Sequence, residues 1–347
     1  MLLHKVNFND VIMFFRQFAV MLKAGISISD SLHNLQKQNF SKSFKNILAS
    51  ICCDINSGEL LSEAFSKHPR VFPRFFVDMV RIGEVSGELD KIVTSMADYY
   101  ENDRKIKKKV SSAMVYPTLL VSMIFLVTIF LCLFVLPQFE STIVQLGGDI
   151  PNITVIVMSV SKFLQEHFIY IILVFLSISL FTLFFFNSKT GKYVKDAIIL
   201  NLPIISTIHK NIITARFSKA FVILLGSGMN MVDILENLSK MLGNEVFTKK
   251  FVHAIEEVKH GKKIAISIEE TNLFPQMLTE MILVGENSGN LEEVLTTTGD
   301  YFDTQVETSI AKAVAMIEPV AIVILGCVVS FVVFSVLIPI MSIMNAI

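Results

Sequence analysis

Apolar residues recur at helical spacing from the start of the chain: Phe14, Phe18, Met21 and Leu22, then Phe40, Phe44, Ile47, Leu48 and Ile51, then Leu89, Ile92, Val93 and Met96. Recurrence at three and four residues predicts amphipathic helices, and no alternating run of comparable length predicts a strand. Breaks at Gly25, around Asn39, at Gly58, over His68 to Pro73 and over Gly83 to Gly87 divide this part into about six helices, the last running toward Pro117. Ser27 with Asp30 three residues on reads as a capping box, with Gly25 just before it as a left-handed helix end.

Three stretches lack Asp, Glu, Lys, Arg and His altogether: Pro117 to Pro137, Phe168 to Phe186, and Pro319 to Pro339. Helices of this length reach roughly 30 Å, the thickness of a bilayer core, so three transmembrane helices are expected. Arg104, Lys105, Lys107, Lys108 and Lys109 precede the first, and Lys189, Lys192 and Lys195 follow the second, whereas Gln138 to His167 holds only Lys162. Basic flanks stay on the cytoplasmic side, which puts the N-terminus and residues 187–317 inside and the 138–167 loop and 340–347 tail outside. The same lysines suit the anionic surface of the lipid bilayer.

The chain also contains itself twice. An offset of 203 places Phe18, Leu22, Gly25, Asp30, Leu32 and Gly58 on Phe221, Leu225, Gly228, Asp233, Leu235 and Gly261. After a slip to 202, Phe72-Pro73 falls on Phe274-Pro275, Gly83-Glu84-Val85-Ser86-Gly87 on Gly285-Glu286-Asn287-Ser288-Gly289, Asp98-Tyr99 on Asp300-Tyr301, and Pro117 and Pro137 on Pro319 and Pro339. Each copy is a helical bundle followed by a span, and the unmatched middle span returns the chain between like-oriented copies. Parallel repeats of this kind are related by an axis along the membrane normal.

Composition supports this reading: 52% apolar against 18% charged residues and a mean hydropathy of +0.60 are membrane-protein values. With 30 basic and 31 acidic residues there is no excess of positive charge for nucleic acid. Cys52, Cys53, Cys132 and Cys327 have no zinc or disulfide spacing, and the seven histidines share no ligand spacing. No Walker sequence, HExxH, EF-hand loop or GxSxG occurs, and no span carries an internal charge. Catalysis, cofactor binding and metal binding are not expected, and a small transporter or channel is the weaker alternative.

The paired Gly-Glu-x-Ser-Gly segments are the most specific local pattern. They read as interhelix turns, with Gly83 and Gly285 leaving the helix left-handed, Ser86 and Ser288 capping the next helix, and Gly87 and Gly289 completing the turn. Glu84 and Glu286 have no capping role in this scheme, which leaves them as candidate partner contacts. Glu318, beside Pro319, reads either as the acid of a helix N-terminus or as a carboxylate that meets a substrate at the membrane surface.

The run from Arg16 to Ile26, the paired turns, and Tyr116-Pro117 against Glu318-Pro319 resemble the inner-membrane platform proteins of type II secretion and type IV pilus systems, over nearly the whole chain. The resemblance implies an all-α membrane protein with two tandem cytoplasmic six-helix bundles and three transmembrane helices. The segments would be 1–112, 113–137, a periplasmic loop 138–167, 168–186, 187–317, 318–339 and a periplasmic tail 340–347. It implies self-association into a homo-oligomer, and contact with a cytoplasmic assembly ATPase, with pilin or pseudopilin subunits and with other inner-membrane assembly proteins. Arg16, inside the shared run, joins Glu84, Glu286 and Glu318 as a candidate contact. The first repeat begins almost at residue 1, similar to the short platforms of type IVb pilus systems.

Overall fold

The structure, a computed structural model, describes residues 6–135, 188–241 and 245–346, with isolated positions between 159 and 184. The expected second span, Phe168 to Phe186, and the 138–167 loop lie outside the described residues apart from those isolated positions. Every regular element among the described residues is a helix.

The first repeat folds as α1 (Phe8–Lys23), α2 (Ile28–Gln36), α3 (Lys42–Asn56), α4 (Leu61–Ser66), α5 (Arg74–Ser86) and α6 (Leu89–Ala113), followed by α7 (Val115–Phe130) and a π-helical turn at Leu131–Val135. Then come α8 (Lys189–Asn201), which has no counterpart in the first repeat, and α9 (Pro203–Gly226), α10 (Met231–Met241), α11 (Glu245–Lys259), α12 (Ile264–Glu270), α13 (Gln276–Ser288) and α14 (Leu291–Ala346). The offsets read from the sequence carry the start of α2 to that of α10, α3 onto α11, and α5 onto α13. Gly25, Gly58 and Gly87 have positive φ, and so do Gly228, Gly261 and Gly289. The one-residue slip falls between α4 and α5, and the shorter connection in the second repeat turns through a left-handed Asn272, a conformation asparagine tolerates better than most side chains.

The helices of the two repeats turn their apolar stripes inward, and each repeat contributes a set of phenylalanines to the buried core. Phe14, Phe15, Phe18, Phe44, Phe65, Phe72 and Phe76 are fully buried in the first, and Phe217, Phe221, Phe247 and Phe251 in the second. Phe15 stacks on Phe76 with ring centroids 4.0 Å apart, and Phe217 meets Phe274 at 4.8 Å. Much of the chain's phenylalanine therefore fills bundle cores, where large flat rings bury apolar area at low entropic cost. The starts of α2 and α10 are capped alike: Asp30 N–H donates to Ser27 Oγ at 3.1 Å, and Asp233 N–H to Asn230 Oδ1 at 3.0 Å.

The chain divides into two compact units, Met1–Lys108 with Asp196–Glu307, and Lys109–Lys195 with Thr308–Ile347. Both helical repeats belong to the first unit. Among the described residues, two helical stretches are long and apolar enough to cross a membrane, Leu89–Phe130 and Leu291–Ser330, and they contain residues 117–130 of the first expected span and 319–330 of the third. The pair Tyr193–Asn201 and Ile204–Gly226 passes the same length test. Within it, however, Phe217, Phe221 and Leu224 are fully buried in the second repeat and Arg216 and Lys219 make ion pairs, so α9 is a core helix. The helix α14 continues through the expected tail segment as far as Ala346.

Candidate functional site

The Gly-Glu-x-Ser-Gly segments form a compact junction of three helices. Gly83 and Gly285 are buried inside α5 and α13, not left-handed as the sequence suggested. A Cβ on Gly83 would stand 3.0 Å from Leu89 Cα, and one on Gly285 would stand 3.0 Å from Leu291 Cα and 2.8 Å from Leu291 Cδ2. Glycine is required here because the start of the next helix crosses against its backbone. The left-handed residues are Gly87 and Gly289, with φ of 76° and 71°, and they end the helices. Ser86 and Ser288 are the last residues of α5 and α13 rather than caps of the helix that follows: Ser86 Oγ accepts from Glu88 N–H at 3.4 Å, and Ser288 Oγ donates to Gly285 O at the same distance.

Glu84 and Glu286 have the capping role that local spacing could not supply. The Glu84 carboxylate accepts the N–H groups of Leu61 and Ser62, the second at 3.1 Å, at the start of α4. Glu286 accepts Ile264 N–H at 2.8 Å and Ala265 N–H at 3.0 Å at the start of α12. Neither helix has a side-chain cap of its own. A carboxylate on first-turn amides satisfies donors that would otherwise lack partners and sits at the positive end of the dipole.

Arg16 lies on α1 and pairs with Asp98 at 2.8 Å and with Glu101, both on α6. The bond from Arg16 holds the Glu101 carboxyl below its usual range. The second repeat keeps the device: Lys219, the counterpart of Arg16, pairs with Asp300 at 3.5 Å and with Asp303. Glu318 is exposed and lies in the middle of α14. The helix-terminus reading of Glu318 is thereby overturned, because the helix runs through Pro319 without a break even though proline cannot donate to the Ala315 carbonyl. In the first repeat the same place carries a one-residue interruption at Met114.

The two repeats meet along a seam that local sequence did not reveal. Asp103, on α6 and 7% exposed, pairs with Arg216 on α9 and with Lys107 at 2.7 Å. Asn102 Nδ2 donates to both Asp303 carboxylate oxygens at 3.2 and 3.0 Å, so Asp303 is held by Lys219 from its own repeat and Asn102 from the other. Burial pushes the neighbouring Tyr99 phenol well above its ordinary pKa. Along the seam runs a groove of about 520 Å³ between α6 and α9. The signal that bears on this seam is a break in the repeat: Asn102-Asp103 aligns with Thr304-Gln305, and Arg216 with Met13.

The profile of the family described as "Type II secretion system (T2SS), protein F" matches residues 14–137 and 217–339, two segments offset by 203 at their starts and 202 at their ends. The chain belongs to this family. Among its relatives, a protein named Type IV pilus assembly protein PilC from Myxococcus xanthus is 32% identical over 99% of this chain and 82% of its own length. The Aeromonas hydrophila protein named Type IV pilus assembly protein TapC is 30% identical over 97% of this chain and 82% of its own. A Vibrio cholerae protein named Type II secretion system protein F is 29% identical over 97% and 83%. Platform proteins of this family are membrane components of pilus and secretion machinery, and the apolar stretches within Leu89–Phe130 and Leu291–Ser330 fit that setting. The junction, the caps and the basic-on-acidic clamp between the first and last helix of each repeat are the devices by which this member builds its repeated bundle.

Proposed function

We propose that the protein is the inner-membrane platform of a type IV pilus assembly machine, with its N-terminus and both bundles in the cytoplasm, coupling an assembly ATPase to the insertion of pilin subunits into the fibre. It performs no chemistry of its own in this reading. The observation that carries it is the division of labour along α14. Leu295, Phe302 and Val306 are buried in the bundle at one end, and the charge-free run Pro319 to Pro339 occupies the other. A rod with such a pattern transmits displacement from a bundle to a lipid-embedded segment, since a hydrogen-bonded helix resists bending. The short Arg104 to Lys109 cluster supports the orientation.

Deletion of the gene tests the reading. Surface fibres disappear while pilin is still processed, and the wild-type chain restores them; normal fibres in the deletion overturn it. The pilin that co-purifies assigns the pilus class, type IVb being the expectation. The relationship to the Vibrio cholerae secretion protein favours a second reading, a platform driving a pseudopilus, in which the deletion abolishes export of folded proteins and leaves fibres intact.

A further inference from the structure

The seam between the repeats joins unlike faces. The first repeat contributes the face of α5 and α6, and the second contributes α9 and α10. A two-fold arrangement would cover the equivalents, α1 with α2 and α13 with α14, to the same extent; one edge of α14 reaches the seam through Thr296, Asp300 and Asp303, and the end of α1 through Lys23, but burial at paired positions shows that the remaining faces stay open. On the α6 side, Ser95, Tyr99 and Asn102 are half-buried, whereas their counterparts Thr297, Tyr301 and Thr304 are exposed. Ile82 of α5 is half-buried, and its counterpart Val284 is 50% exposed beside Leu283. On the other side the sense reverses: Ile223 and Arg216 of α9 are half-buried, whereas Val20 and Met13 of α1 are exposed, Val20 to 59%.

The open faces are thus the two halves of a second seam, each equivalent to one that is already filled, and each carries exposed apolar side chains, Met13 and Val20 on one and Leu283, Val284 and Tyr301 on the other. In the position of the charged pair Arg216 and Asp103 stand the uncharged Met13 and Gln305, so docking them buries no ion. We propose that a second copy of this chain lays its α13–α14 face, centred on Val284 and Tyr301, on the α1 face of the first, at Met13 and Val20, repeating the internal seam between chains. The contact is head-to-tail, and such contacts close into rings when the rotation permits. It is independent of the coupling reading, since it concerns only which surfaces of the bundles meet.

Cysteine cross-linking of the full chain in detergent tests the register, in a background with Cys52, Cys53, Cys132 and Cys327 replaced by serine. Ser95 and Ile223 both line the internal groove, and their open counterparts are Thr297 and Val20. A chain carrying Ser95→Cys and Ile223→Cys is expected to cross-link internally with a short bis-maleimide. A differently tagged mixture of Val20→Cys chains and Thr297→Cys chains is expected to give the mixed dimer, and Val20→Cys chains alone no product. Adding Tyr301→Asp to the Thr297→Cys chain should remove the mixed product while the internal cross-link survives in its own variant. A Val20-to-Val20 product, absence of the mixed dimer, or failure of the internal pair each overturns the proposal.

Discussion

Glu84 holds the backbone N–H of Leu61, a residue 23 positions earlier, and the N–H of Ser62 beside it. Glu286 does the same for Ile264 and Ala265, so the short fourth helix of each repeat starts on a carboxylate supplied by the fifth. That contact fixes the angle between two helices through four charge-assisted bonds per chain.

Replacing Glu84 or Glu286 by alanine leaves two first-turn amides with no protein acceptor and removes a charge from the positive end of the dipole. Each change should destabilise its repeat by about 1–3 kcal/mol. Glutamine, which keeps one acceptor oxygen, should recover part of this. Thermal unfolding of the purified chain in detergent measures both, and an alanine variant as stable as wild type would contradict the capping role.

The sequence made these helices easy to see and this contact hard to see, for one reason. Helix existence is written locally, in the spacing of Phe14 and Phe18 or in the glycines that end helices, and six helices per repeat follow from that. A cap delivered from 23 residues away leaves no local trace, because Glu84 looks like any acid on an amphipathic helix. The different roles of the two glycines are hidden for the same reason: Gly83 is set by the approach of Leu89, a tertiary fact, whereas the left-handed Gly87 is local. Glu318 is ambiguous locally because Pro319 reads as a helix start, while α14 runs straight through it. The seam was invisible because Asp103 and Arg216 gain their meaning only when two halves of the chain meet.

The two kinds of glycine should respond differently to substitution. Gly83→Ala and Gly285→Ala drive a Cβ against the backbone of Leu89 and Leu291, and this overpacking should cost about 1–3 kcal/mol. Gly87→Ala and Gly289→Ala meet open space and carry only the left-handed penalty of about 1–2 kcal/mol. Asparagine separates them. It should be tolerated better than alanine at Gly87 and worse than alanine at Gly83, as read by unfolding midpoints, and the same ranking at both positions would refute the assignment.

Acidification should loosen the first repeat's clamp through Glu101. The bond from Arg16 depresses the Glu101 pKa from a starting value of 4.5, so the folded chain binds this proton more weakly than the unfolded chain does. The clamp's contribution is complete above the unfolded value and is lost as the pH falls below about 4.5 and through the folded one. Arg16→Met should lower stability at neutral pH and flatten the acid limb of the stability profile. Equal acid sensitivity in wild type and variant would show that the clamp plays no part in it.

Asp103 and Arg216 offer the sharpest test of the seam as a structural joint. Removing Arg216 leaves the nearly buried Asp103 with Lys107 as its one remaining ion-pair partner among the described residues, and removing Asp103 leaves Arg216 without its acid across the seam; each loss should be about 1–3 kcal/mol. Removing both with apolar residues of similar volume, Asp103→Leu with Arg216→Met, should restore much of it, so the two single losses exceed the double loss. The penalty should appear as increased hydrogen exchange along α6 and α9 while the amides of α3 and α11, which lie away from the seam within their own repeats, keep their protection. Additive losses in the double-mutant cycle would mean that the two side chains act separately, and that the repeats are held together by other contacts, the Asn102–Asp303 bonds among them, without help from this ion pair.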